Sequence, residues 1–200
     1  MTVIIDYGAG NLFSVQNALN FLGAENKISK DPEDIRSADR LILPGVGAFP
    51  DAMKMLDEAG LTEVIKKQAR IKPLMGICLG MQMLFDKSYE FGETAGLGLI
   101  PGTVELMHPA GDLVIPHIGW NALEKNEPCA LLSDVDEGDY VYFVHSFAAV
   151  TDSKNVAAYC DYGMKVPALV MSGKVFGCQF HPEKSGKTGL SILKSFCEMK

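Results

Sequence analysis

The sequence predicts an α/β fold: a doubly wound, mostly parallel central sheet with helices on both faces and antiparallel additions in the second half. Three observations predict it. Through the first half, short apolar runs alternate with segments of helical periodicity, which implies right-handed crossovers and a parallel sheet. Glycine-bearing turns at Gly8–Gly10, Pro44–Gly47 and Gly76–Gly80 each follow an apolar run, where such a sheet places its binding edge. From about Glu93 the helical signal stops and turn-separated, strand-like runs take over.

In order, Val3–Asp6 reads as a short strand, and Leu12, Val15, Leu19 and Leu22 recur at helical spacing. The loop between them, Tyr7-Gly8-Ala9-Gly10-Asn11, suggests a dinucleotide site, but that fingerprint needs glycine where Phe13 stands. A turn presenting Asn11 to a ligand or partner fits better. Ala24–Ser29 is a second strand. Asp31-Pro32-Glu33-Asp34 opens a helix with a capping side chain, a proline in the first turn and acids at the positive end of the dipole. Arg40–Leu43 is a third strand, running into Pro44-Gly45-Val46-Gly47 and a helix from about Pro50. A helix over Leu61–Ala69 precedes a fourth strand, Pro73–Ile77, and an apolar, helix-compatible run, Leu79–Phe85, follows. Further strands are expected at Val104–Met107, Leu113–Ile118, Tyr140–Val144, Val156–Tyr159, Leu169–Met171 and Val175–Phe180, with a hairpin tip at Ser172-Gly173-Lys174. The last helix, Thr188–Met199, sets Leu190, Leu193, Phe196 and Cys197 on one face. With no linker, repeat or low-complexity tract, residues 1–200 are expected to form a single domain.

Composition narrows the function classes. The chain has 200 residues, 48% hydrophobic and 22% charged, with a net charge of −7. That balance argues against nucleic-acid or anionic-membrane partners, which reward clustered Lys and Arg. No apolar run is long enough to span a bilayer. The five cysteines are odd in number and irregularly spaced, without a C-x-x-C, so neither a disulfide framework nor a metal site is expected. A cytoplasmic location follows from that and from a first segment that reads as a strand rather than a basic-then-apolar leader.

The chemistry centres on Gly76-Ile77-Cys78-Leu79-Gly80. A strand, a sharp turn and a helix with cysteine at the apex make a nucleophile elbow, and small neighbours two residues away relieve its crowding. The helix N-terminus favours negative charge, and the thiolate is the nucleophile. Taken alone, the motif reads equally as a buried cysteine between packing glycines. A nucleophile needs a base, and the base an orienter. His108 lies in a polar loop and reads as solvated; His117 and His145 lie in apolar stretches and read as satisfied, partly buried rings. His181 instead follows the Val175–Phe180 strand and opens His181-Pro182-Glu183. Pro182 keeps His181 out of helical torsion angles. In an extended chain His181 and Glu183 face the same way, as base and carboxylate. Oxyanion donors are available from the Leu79 backbone N–H and from the Pro44–Gly47 loop, which otherwise reads as a tight turn.

On these residues the chain resembles the class I (triad) glutamine amidotransferases, flavodoxin-like in fold, and most narrowly the glutaminase subunits of imidazole glycerol phosphate synthases of histidine biosynthesis. The matching segments run nearly end to end: Asp6–Leu12, Leu43–Phe49, Gly76–Gln82, Pro116–Asn121, Tyr142–Phe147 and Gln179–Ser185. The resemblance implies that Cys78 attacks the carboxamide of glutamine, His181 acts as base and then acid, and Glu183 orients it. Val46, after a backbone flip, and Leu79 supply oxyanion donors. Gly47, Gln82, Glu90, Ser146 and Phe147 line the glutamine pocket, Phe147 standing where the family often has tyrosine. The implied partner is a cyclase subunit with a (β/α)8 barrel, in a heterodimer, receiving ammonia, with Asn11, Trp120, Tyr142 and Lys184 on or near the docking face. No cofactor is implied. From the sequence alone Trp120 reads nearly as well as a core anchor, Tyr142 as a strand residue and Lys184 as a solvated charge. Glutaminases of the pyridoxal phosphate or anthranilate type, or a stand-alone cysteine hydrolase, remain as alternatives.

Overall fold

The structure, a computed structural model, describes residues 1–199. The first half contains β1 (Thr2–Ile5), α1 (Leu12–Phe21), β2 (Asn26–Ser29), α2 (Pro32–Ser37), β3 (Arg40–Gly45), α3 (Phe49–Glu58), α4 (Thr62–Gln68), β4 (Leu74–Cys78) and α5 (Leu79–Gln82). The second half contains β5 (Phe85–Ser88), β6 (Thr94–Ala95), β7 (Ile100–Leu106), β8 (His117–Ala122), β9 (Glu124–Lys125), β10 (Tyr140–His145), β11 (Phe147–Val150), β12 (Val156–Asp161), β13 (Lys165–Ser172), β14 (Val175–Cys178) and α6 (Gly186–Glu198).

An eight-stranded sheet runs in the order β2-β1-β3-β4-β14-β13-β12-β9. From β2 to β14 all pairs are parallel; β13, β12 and β9 add antiparallel strands beyond. A four-stranded sheet, β11-β7-β5-β6, and the β8–β10 pair complete the second half. Because the central strands are covered on both faces, they read as continuous apolar runs rather than alternating ones. Their side chains still alternate in space. Ile4, Ile42 and Met75 join one core with Val15 and Leu19 of α1 and Ile192, Leu193 and Phe196 of α6. Val3, Ile5, Leu41 and Leu43 join the other with Ile35, Leu56 and Ile65 of α2, α3 and α4. The buried sets Phe49, Ala52, Met53, Leu56 and Gly189, Ile192, Leu193, Phe196 have the i, i+3, i+4, i+7 spacing of helices lying on a sheet.

Several expectations shift. The helix after Cys78 stops at Gln82 instead of reaching Phe85, because Phe85–Ser88 pairs as β5 with β7 and Phe85 is wholly buried there. The seven-residue run Leu79–Phe85 is too short for its periodicity to separate the two outcomes. Leu113–Ile118 is not a strand: pairing begins at His117, and Val114 is 72% exposed. The strand expected at Val104–Met107 is longer and shifted, running Ile100–Leu106. Ser172-Gly173-Lys174 does form the β13–β14 tip, with Ser172 opposite Val175.

Candidate active site

The carboxyl ends of β1, β3, β4 and β14 lie side by side in the sheet, so the loops they feed meet at one edge. Gly47 follows β3, Cys78 ends β4, and His181 follows β14. Cys78 has φ 54°, and with Phe91 it is one of two non-glycine residues at positive φ among the described residues. Such torsions cost on the order of 1–3 kcal/mol and persist where the surroundings enforce them. The surroundings here are tight. A Cβ on Gly80 would lie 1.8 Å from the Leu43 carbonyl oxygen, and one on Gly76 would lie 2.5 Å from the Gly80 carbonyl oxygen. The elbow motif is therefore a packing requirement as well as a chemical one.

Cys78 opens into a cleft of about 530 Å³. Val46, Leu79 and His181 line it with the thiol, as do Gly47, Gln82, Glu90, Ser146 and Phe147, and His145 also borders it. His181 Nδ1 lies 2.8 Å from Glu183 Oε1, with both side chains buried. Burial alone would lower the histidine; hydrogen bonds and charge from Cys78 and Glu183 outweigh it and hold His181 at about 9. The geometry of the pair differs from the expected extended strand. His181 is extended, but Pro182–Lys184 forms a 3-10 turn that brings the carboxylate back to the ring.

The His181 backbone is fixed from behind. Its N–H donates to the Tyr142 carbonyl at 3.0 Å. Buried Ser185 donates from Oγ to the His181 carbonyl at 2.6 Å and accepts from the Tyr142 N–H at 3.0 Å. The segment carrying His181 is thus tied to β10. Behind the thiol, Gln82 donates from Nε2 to the Phe147 carbonyl and to Gln179 Oε1, both at 3.0 Å. Gln179 Nε2 and the Val144 carbonyl oxygen each lie 3.9 Å from Cys78 Sγ. Glu90 Oε2 accepts from the Phe49 N–H at 2.8 Å, at the N-terminus of α3 where an anion is favoured.

As the first residue of α5, Leu79 has an N–H with no acceptor inside its helix. Gly47 has φ +99° and open space where a Cβ would be, which leaves the loop carrying Val46 backbone latitude at the cleft. Asn11 and Lys184 also border the cleft. Trp120 and Tyr142 do not. They face each other across β8 and β10, edge to face at 6.0 Å, and Trp120 is 54% exposed rather than a core anchor.

Sequence reasoning missed Gln179 and Ser185, whereas His117 and His145 are the buried, hydrogen-bonded rings it expected. Gln179 had a signal, since it interrupts the apolar Val175–Phe180 run with a wholly buried amide. Ser185 left no local mark, because one of its two partners, Tyr142, lies far away in the chain.

A family model described as glutamine amidotransferase class-I matches residues 3–199. "Imidazole glycerol phosphate synthase subunit HisH" of Caldanaerobacter subterraneus subsp. tengcongensis is 50% identical over 100% of this chain and 98% of its own length. The protein of the same name from Bacillus cereus is 49% identical over 98% of this chain and 93% of its own length. Among solved structures, a glutamine amidotransferase superposes with a TM-score of 0.75 at 23% identity, covering 97% of this chain and 98% of that one. PurLQS from Thermotoga maritima gives 0.74 at 23% identity, covering 98% and 96%. At that identity the two structures speak for the fold.

Proposed function

Because the chain belongs to the class-I glutamine amidotransferase family, we propose that Cys78, His181 and Glu183 are its catalytic triad, within one glutaminase domain spanning residues 1–200. The chain is a glutamine amidotransferase subunit of imidazole glycerol phosphate synthase. The observation that carries the triad is the strained Cys78 elbow opening into the same cleft as a histidine held 2.8 Å from a buried carboxylate.

In this reading the Cys78 thiolate attacks the carboxamide carbon of glutamine, and the carbonyl π pair moves onto oxygen. The Leu79 N–H and, after the Gly45–Val46 peptide turns, the Val46 N–H stabilise that oxyanion. When the pair returns, the C–N bond breaks and His181 gives its proton to the leaving nitrogen, releasing ammonia. The γ-glutamyl thioester is hydrolysed by water that His181 deprotonates. Glutamate leaves and the thiolate is restored. Glu183 keeps the imidazole oriented and stabilises its protonated form. Gln82, Glu90, Gly47, Ser146 and Phe147 hold the amino-acid end of the substrate.

Ammonia released into neutral water becomes ammonium, which is not nucleophilic. The product is therefore delivered directly to the cyclase subunit, a (β/α)8 barrel docked over the cleft mouth. Asn11 and Lys184 at the cleft border, and the exposed Trp120 beside Tyr142, support that face as the docking surface. A cytoplasmic location accords with five free cysteines. No helix among the described residues is long and apolar enough to cross a membrane.

Mass spectrometry of the complex, acid-quenched during turnover with glutamine, tests the triad. A glutamyl adduct on the peptide containing Cys78, lost in Cys78→Ser, is expected. An adduct on another cysteine would reject the assignment.

A further inference from the structure

His117 and His145 are the two buried histidines that the mechanism leaves unused, at 2% and 6% exposure. The register of β8 and β10 sets them opposite each other. His145 Nδ1 lies 2.9 Å from the Phe147 carbonyl oxygen. A carbonyl only accepts, so Nδ1 carries the proton and Nε2 of the neutral ring is an acceptor. His117 Nδ1, 3.2 Å from that Nε2, is then the donor. The direction of the chain is therefore fixed: His117 donates to His145, and His145 donates to Phe147. Burial pulls both rings down to about 4, which keeps them neutral. The His117 ring is clamped by stacking on Tyr162 at 3.9 Å and Phe143 at 4.7 Å. At the far end the Phe147 carbonyl also accepts from Gln82. The Ser146–Phe147 backbone, where β10 of one sheet passes into β11 of another, forms one wall of the cleft.

We propose that His117 and His145 are positioning residues for glutamine binding: a one-directional hydrogen-bond chain, anchored by aromatic stacking, that holds the Ser146–Phe147 wall and the Gln82 amide in their receiving orientation. The inference rests on the glutaminase reading. A binding wall serves substrate and transition state alike, so disturbing it raises KM and leaves kcat unchanged. A carbonyl shared by two donors resists rotation of its peptide. Removing the upstream donor frees the His145 ring to turn, and the wall with it.

The test uses the complex with the cyclase subunit. His117→Phe keeps the stacking and deletes the donor; His117→Asn restores a donor at the Nδ1 position. His117→Phe is expected to raise the KM for glutamine by roughly three- to tenfold, the loss of about one hydrogen bond, with kcat within about twofold, and His117→Asn to recover most of it. Nitrogen-15 spectra of the histidine-labelled wild-type complex are expected to show both rings neutral and protonated at Nδ1. An Nε2–H tautomer at either ring, or a wild-type KM in His117→Phe, overturns the inference while leaving the glutaminase reading intact. A wild-type complex that fails to hydrolyse glutamine overturns both.

Discussion

Glu183 holds its histidine through one oxygen, Oε1, while Oε2 is buried with no hydrogen-bond partner among the described residues. Its proposed role, stabilising the imidazolium, gives a signed pH prediction. His181 sits at about 9 in the fold, against roughly 6.5 in an unfolded chain. A raised value contributes stability that is fully present below about 6.5 and is lost as the pH rises through 9. In Glu183→Gln the histidine should titrate well below 9 by NMR. The stability gap between wild type and variant should be wide near pH 6 and narrow near pH 10; a gap independent of pH would refute the pairing. The same variant should lose on the order of 10²–10⁴-fold in kcat for glutamine hydrolysis, the range of a general acid–base contribution. That Cys78, His181 and Glu183 come together was legible in the sequence because each carries a local mark: glycines around Cys78, and Pro182 between His181 and Glu183. How His181 meets Glu183 was not legible, since a proline fixes its own φ and restricts the residue before it but does not choose between an extended chain and a 3-10 turn.

Single elements are held by residues that no local pattern marks. Helix α2 spans only Pro32–Ser37, and its Asp31 cap was readable from the sequence: the side chain accepts from the Glu33 N–H at 2.9 Å. Its other end is capped from a distance. Lys72, just before β4, donates from Nζ to the carbonyls of Ile35, Arg36 and Ala38 at 3.2, 2.7 and 2.6 Å. Lys72→Met should cost about 1–3 kcal/mol, the price of stranding buried acceptors, lowering Tm by about 2–4 °C per kcal/mol, with glutaminase kinetics unchanged. Denaturant unfolding and steady-state assays check this; a stability equal to wild type would show that the lysine merely occupies space. The parallel half of the sheet was legible because short apolar runs such as Thr2–Ile5, Arg40–Gly45 and Leu74–Cys78 alternate with segments of helical periodicity. The second half was less so. β6 and β9 have two residues each, and β11 starts one residue after β10 ends, so a change of sheet leaves no turn signal. Leu113–Ile118 has strand composition but lacks a pairing partner before His117, and strand propensity expresses itself only on a half-buried, paired surface.

At the scale of the whole molecule, the cleft and the β8–β10 pair share one structural unit. The Tyr142 backbone exchanges hydrogen bonds with His181 and Ser185, and its side chain meets exposed Trp120. A partner seated on Trp120, as proposed, would be joined through a few backbone bonds to His181. Trp120→Ala should weaken the complex by about 2 kcal/mol or more, the cost of an aromatic anchor, while the free chain keeps its fold; titration calorimetry reads the change, and an unaltered Kd would move the docking surface elsewhere. The sequence could not decide between core and surface for this tryptophan, because a strand paired on one side only leaves both faces open to either fate. The central claim is that Cys78 makes ammonia for a second site on a separate chain. It is tested most directly by assaying imidazole glycerol phosphate formation by the complex carrying Cys78→Ala, once with glutamine and once with ammonium salts at alkaline pH. Synthesis lost with glutamine and retained with ammonium is the predicted result. Synthesis retained with glutamine, or lost with both, would contradict it.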